Sequence, residues 1–194
     1  MRHLISLIFL VFVSGSCSNS PQPEPTKAEK EPVKKQSFFP VTNYIRGQIF
    51  EIKRNGVTPL EYTTINGHTD SAWLKLDRFE DAVKEFLSPE IDSTNLTGLF
   101  TEKNFLDQTI AAFTFTYDPT GQLPDSMKLK RWDVYIDPES NKVKRIYMVK
   151  EVSKSMSLQL TWQSGKYCRI VSIATDATGN STVEKEEKIA WGDL

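Results

Sequence analysis

Cysteine and histidine are scarce in this chain, with two of each in 194 residues. Cys17 and Cys168 are too few for a disulfide framework. His3 belongs to the extreme N-terminus, so His68 is the single histidine of the remainder. A zinc centre would have to complete itself from cysteine and carboxylates, and no such cluster occurs at ligand spacing. The reading is therefore no metal and no cofactor. Charge of one sign is also missing: 24 Lys and Arg face 25 Asp and Glu, which gives no basic excess for nucleic acid. Long hydrophobic runs are absent too. The marked apolar stretch, Leu4 to Val13, falls well short of the ~20 residues a membrane-spanning helix needs. There is no G-x-S-x-G elbow and no internal repeat.

What is present is a long patterned stretch, Gln108 to Trp191. Side chains of a strand point to opposite faces with period two, so alternation of polar and apolar residues marks a half-buried strand. Phe113, Phe115 and Tyr117 alternate with Thr114 and Thr116; Trp132, Val134 and Ile136 share one face of the next run, which closes at Asp137-Pro138. Val143 to Val149 follows. Met156, Leu158, Leu160 and Trp162 alternate with Ser157, Gln159 and Thr161, and Ser164-Gly165 turns into Tyr167 to Ala174. A loop from Asp176 to Asn180 leads into Val183 to Trp191. Closely spaced strands without intervening helices predict an antiparallel meander.

Upstream, Tyr44 to Lys53 and Leu60 to Ile65 read as two strands joined through Asn55-Gly56, and Asn66-Gly67 closes the second. The Asp77-x-x-Glu80 spacing resembles a helix start, and Phe79, Val83, Phe86 and Leu87 recur at helical spacing until Ser88-Pro89. Glu90 to Leu99 is irregular and reads as a loop; Phe100 to Leu106 carries no assignable pattern. The expected fold class is α+β: a curved, mostly antiparallel sheet with one main packed helix, in a single domain over 38–194.

At the N-terminus, Arg2 and His3 precede the short apolar run and the small residues Ser14-Gly15-Ser16 precede Cys17. This reads as a secretory signal over 1–16. The arrangement resembles a bacterial lipoprotein precursor, although Ser14 stands where such boxes commonly carry leucine. The resemblance implies cleavage before Cys17 and its lipidation by more than one acyl chain, which anchors firmly where one chain holds only marginally. Ser18 in place of Asp, and no acidic cluster directly after Cys17, imply by the same resemblance an outer-membrane protein facing the periplasm. From Ser18 to Ser37 the chain holds Pro21, Pro23, Pro25 and Pro32 with mixed Lys and Glu. With Cys17 this is a linker over 17–37, too poor in apolar residues to fold and reaching at most about 60 Å. Loss of Arg2 with the signal leaves 23 basic and 25 acidic side chains. Phe38-Phe39-Pro40-Val41, Thr69 to Leu74 and Arg131 to Pro138 together resemble uncharacterised envelope lipoproteins of Bacteroidota-type bacteria, a family that supplies no activity to carry over.

The chemistry inventory is short. His68-Thr69-Asp70-Ser71 holds the residue types of a Ser-His-Asp triad, but sequence neighbours rarely give triad geometry; a polar turn ahead of a helix is the better reading, and no catalytic residue is assigned. Asp118 to Gly121 and Asp137 to Asn141 are oxygen-rich, yet turn chemistry explains both without calcium. Cys168 lies in an alternating strand as a small buried hydrophobe. Lys128, Lys130, Arg131, Lys142, Lys144, Arg145, Lys150 and Lys154 give neighbouring strands a basic bias, to be met by Glu184, Glu186 and Glu187 across the sheet or by an anionic partner. Trp132, Trp162 and Trp191 fall on three strands and would line one apolar cavity if the sheet curls around them. The leading function is then a lipid-anchored, non-catalytic envelope module that binds an envelope protein or cell-wall partner. The alternatives are a carrier of a lipid or other apolar ligand, lined by those tryptophans, and a hydrolase using His68.

Overall fold

The computed structural model describes residues 37–192. Cys17, the signal segment and nearly all of the linker expectation lie outside the described residues. The architecture is mostly β: one nine-stranded, open antiparallel sheet in the order β2-β1-β9-β8-β7-β6-β5-β4-β3, with one main helix. In chain order the elements are α1 (Val41–Arg54), β1 (Leu60–Ile65), β2 (His68–Trp73), a single helical turn α2 (Phe79–Ala82) followed by a 3-10 turn at Lys84–Phe86, and then β3 (Phe100–Asp107), β4 (Ala112–Pro119), β5 (Leu129–Ile136), β6 (Val143–Ser153), β7 (Met156–Gln163), β8 (Tyr167–Thr175) and β9 (Ser181–Ala190).

The meander from β4 to β9 forms as its alternation predicts, and the unassigned stretch at Phe100 joins it as the edge strand β3. Register shifts interrupt the ladders between Leu129 and Arg131, Tyr135 and Ile136, Glu151 and Ser153, and Ser172 and Ile173; irregularities of this kind bend a strand and sharpen its twist. The β1–β2 hairpin does not close the sheet. It adds β1 beside β9, antiparallel, with β2 as the other edge. Asn66 and Gly67 both take positive φ, 51° and 78°, as a two-residue primed turn requires.

Four expectations upstream are corrected. The stretch read as a strand from Tyr44 to Lys53 is the main helix: Val41, Ile45, Ile49 and Ile52 recur at intervals of three and four and are all buried. Asn55-Gly56 does not start a hairpin but ends this helix, Gly56 at φ 63° donating its N–H to Lys53 O at 3.2 Å. His68 to Ser71 is not a turn but most of β2, every residue of which is exposed. The helix expected from Asp77 is one turn of α-helix and one of 3-10, and Asp77 makes no side-chain cap. Its apolar spacing still does its work, since Phe79, Val83 and Phe86 are completely buried.

One face of the sheet carries the core. Trp132, Val134, Ile146, Met148, Leu160, Trp162, Cys168 and Ile189 point to it and meet Phe38, the buried side of α1, Phe79, Val83, Phe86 and Ile91 from the segments before β3. The irregular stretch after Ser88 is tied to the helix start. Thr42 N–H donates to Ile91 O at 3.2 Å, and Ile91 N–H donates to Thr42 Oγ1 at 2.8 Å, so the fully buried threonine is satisfied. Asp92 accepts from the N–H groups of Thr94 and Asn95 at 2.6 and 2.7 Å, and these bonds hold its carboxyl below the usual range. All members of the core cluster fall between Phe38 and Trp191, so the domain carries its own core.

Candidate functional site

Because side chains alternate, whatever does not face the core from β4 to β9 faces the other way, and directly opposed residues of neighbouring strands share a side. The registers therefore build rows across the second face. One row runs Lys103, Thr116, Asp133, Tyr147, Thr161, Arg169, Lys188, Tyr62 and Ser71 from edge to edge. The next runs Phe105, Thr114, Tyr135, Arg145, Gln163 and Tyr167. This face is polar, cationic and aromatic. An open depression of about 500 Å³ lies over its middle, lined by Arg131, Asp133, Tyr135, Arg145, Tyr147, Val149, Thr161 and Arg169. A second, of about 360 Å³, lies over Tyr62, Thr64, Thr69, Glu186 and Lys188.

Its charges fall into two groups. Arg131 is neutralised locally: Nη2 donates to Asp133 Oδ1 at 3.2 Å, and Asp118 Oδ1 lies 3.9 Å from Nε. Burial opposes the Arg131 charge, but the bond to Asp133 and the two carboxylates more than offset it, and its pKa is raised. Asp133 is itself buried and also accepts from Thr116 Oγ1 at 2.6 Å. Burial, helped by the charge of Asp133, pushes the neighbouring Tyr147 phenol up. Arg169 reaches Glu186 only at 3.9 Å. Arg145 and Lys188 instead lie on aromatic rings, Arg145 with its guanidinium carbon 4.0 Å from the Tyr135 centroid and Lys188 Nζ 4.9 Å from that of Tyr167. Among the described residues neither has a carboxylate oxygen within 4.0 Å. A cation on a ring keeps its charge available to an anion, while a salt-bridged one does not.

The residues singled out from sequence are distributed differently. Trp132 and Trp162 are wholly buried, Trp132 stacked on Tyr117 at 4.5 Å and edge-on to Phe100 at 4.8 Å, Trp162 edge-on to Phe86 at 5.4 Å. Trp191, partly buried, meets Trp162 at 5.0 Å and Phe79 at 5.6 Å. The three tryptophans line none of the depressions described here. Burial pushes the Tyr117 phenol and the Cys168 thiol up, so the cysteine is a core hydrophobe. His68 and Asp70 share one face of β2 and Ser71 points to the other; the strand does not bring the triad types together. Asp137 accepts from Ser140 N–H at 2.8 Å and Glu139 N–H at 3.1 Å, an ordinary turn. Among the described residues there is no group of three or more His, Cys, Asp or Glu placed to hold a metal ion.

The basic series splits between environments. Arg131 and Arg145 stand on the open face, but Lys150 is only 3% exposed on the core side, where Nζ donates to the Glu85 carboxylate and, at 3.1 Å, to Glu85 O. The glutamates of β9 do not answer it: two strands intervene, and Glu186 and Glu187 reach Arg169 and Lys185. Lys188 and Tyr167 drew no attention in the sequence, for their only signal is a place in the alternation.

Fold and face together define an open antiparallel-sheet domain covered on one side by helix and loop and bearing a cationic, tyrosine-lined surface on the other. Comparison with protein-family models, curated proteins and solved structures finds no match to this chain.

Proposed function

We propose that this chain is a non-catalytic module of the bacterial cell envelope, anchored through lipid on Cys17 to the periplasmic side of the outer membrane, whose open sheet face binds an anionic envelope protein or cell-wall partner. The observation that carries the binding reading is the pair Arg145 and Lys188, held on tyrosine rings with no carboxylate partner among the described residues, on the face away from the core. A filled core favours a partner at the surface over a ligand carried inside: the buried Trp132 and Tyr117 pack with Phe38 and Phe100, and the buried Trp162 and Phe79 with Phe86 and Trp191. The anchor rests on the residues around Cys17, and the linker after it supplies the reach for a partner standing off the bilayer.

The binding reading is tested by placing a photo-crosslinking amino acid at Tyr147 on the open face and, separately, at Phe50, which is 61% exposed on α1. In intact cells, illumination is expected to yield a discrete adduct from position 147 and not from 50. Charge reversal of Arg145 and Lys188 together should remove it. Equal adducts from both positions, or an adduct indifferent to the reversal, would rule out the open face. For the anchor, cells fed radiolabelled palmitate are expected to label the chain, and Cys17→Ala should lose both label and membrane association; a labelled Cys17→Ala chain would refute attachment there.

A further inference from the structure

We infer that Arg145 and the small pocket beside it form a site for a carboxylate carried on a small apolar residue, such as the C-terminal end of a peptide. This rests on the open face being the partner surface, and it names the chemistry taken at one place on it. The pocket, open to solvent on one side, has a volume of about 90 Å³ and lies between the β3–β4 hairpin and the ends of β5, β6 and β7, lined by Ile110, Ala112, Tyr135, Lys144, Arg145 and Gln163. There is room for a carboxylate and a small apolar group.

Arg145 is prepared for such a group in three ways. Its guanidinium lies over the Tyr135 ring at 4.0 Å, which fixes the plane of its donors. Its Nε is buried and has no hydrogen-bond partner among the described residues, an unsatisfied charged donor that a small shift of the side chain toward an acceptor would answer. Unlike Arg131 on the same face, it has no carboxylate within salt-bridge distance among the described residues. A planar fork of parallel N–H groups matches the two oxygens of a carboxylate.

The rest of the wall supports the assignment. Lys144 Nζ donates to Ile110 O and Ala111 O, both at 3.2 Å, which fixes the hairpin over the pocket and places a second cation at its rim. Among the described residues, two acidic groups lie near that rim: Asp137, 3.9 Å from Lys144 Nζ with its other oxygen occupied by Ser140, and Asp107, opposite Ala112, which accepts from the N–H groups of Thr109 and Ile110 at 2.9 and 3.4 Å. Ile110 and Ala112 offer apolar surface to the carbon part of the ligand, and the Gln163 amide adds a neutral polar group. A neutral acceptor would take fewer of the Arg145 donors and leave the charge uncompensated.

The test is saturation-transfer NMR on the full chain in detergent micelles, with N-acetylalanine as probe and its uncharged carboxamide as control. Transfer to the N-acetylalanine methyl groups is expected, and it should fall about tenfold or more for the carboxamide and for Arg145→Gln, as loss of a charge-assisted pair implies. Lys154→Gln, which changes an exposed charge outside the pocket, should leave it unchanged, and Arg145→Lys, which keeps the charge but not the fork, should fall well below the wild type. Circular dichroism of each variant identifies any that has unfolded, and Arg145→Lys then stands in for Arg145→Gln. No transfer to N-acetylalanine, equal transfer to the carboxamide, undiminished transfer in the folded Arg145 variants, or displacement by inorganic phosphate as effective as by acetate would each overturn the site. If the probe fails while the crosslink from position 147 persists, the carboxylate site is wrong and the open-face reading stands; the converse separates them equally.

Discussion

Replacing Trp132 by alanine is expected to cost about 3–5 kcal/mol of folding stability, the range for deleting a large aromatic side chain from a packed core. Trp132 has no exposed surface and is held by three rings: stacked on Tyr117, and edge-on to Phe38 and Phe100, with Phe38 also edge-on to Tyr117 to close the group. Nothing in that arrangement can move in to fill the space without giving up its own contacts. Phe38 would lose its seat, and with it the Phe39 N–H that donates to the Tyr117 hydroxyl at 3.2 Å. Since domains of this size are stable by roughly 5–15 kcal/mol, the variant should sit close to unfolding at ambient temperature. Urea denaturation followed by circular dichroism gives the number. A loss below about 1 kcal/mol would mean that the site is not packed as described, and would reopen the possibility of an internal cavity lined by tryptophan.

The second large effect is expected at Lys150, and its direction is the informative part. Glu85→Ala should cost about 2–3 kcal/mol, because it strands an ammonium that is 3% exposed with only a backbone carbonyl to bind. The figure is set below the ~3–5 kcal/mol of a fully buried broken pair because the Glu85 side chain is 37% exposed and partly screened by water. Lys150→Met, by contrast, removes the charge and keeps the length, and is expected to fall within about 1 kcal/mol of the wild type. The double variant should resemble Lys150→Met alone. If Lys150→Met proved the more damaging of the two single changes, the pair would be acting as a net stabilising bridge and not as a buried charge that tolerates its partner.

Lys150 also shows how a correct pattern can carry a wrong implication. In the sequence it belongs to a basic series running from Lys128 to Lys154, and a series of that kind suggests one solvated face. Period two assigns Arg145, Tyr147 and Val149 to one side of β6 and Ile146, Met148 and Lys150 to the other. The alternation was there to be read, but a lysine on the apolar side is acceptable only because Glu85, 65 positions away, meets it. The threonines of β4 make the same point. Thr114 and Thr116, read as the wet side of their strand, are 2% and 5% exposed, while Phe113 on the nominal core side is 41% exposed. Near the sheet edge the covering segments end, and Asp133 on the next strand gives Thr116 a partner.

What the sequence by itself determined was local. Alternation located β4 to β9, Asn66-Gly67 and Ser164-Gly165 set two hairpin turns, and the helical spacing of Phe79, Val83 and Phe86 marked a face that is buried although its helix is only a single turn. These properties depend on residues a few positions apart, whose geometry is fixed by backbone periodicity and by the few residue types that tolerate positive φ. The tertiary structure decided the rest. Val41 to Arg54 could satisfy a strand or a helix by pattern, and became a helix because Val41, Ile45, Ile49 and Ile52 then bury one continuous stripe against the core. Register decided which cations found carboxylates: Arg131 lies beside Asp133 and Asp118, whereas Arg145 and Lys188 meet tyrosines. Strand pairing and side-chain packing join residues tens of positions apart, and no local periodicity encodes which charge will be left without a partner.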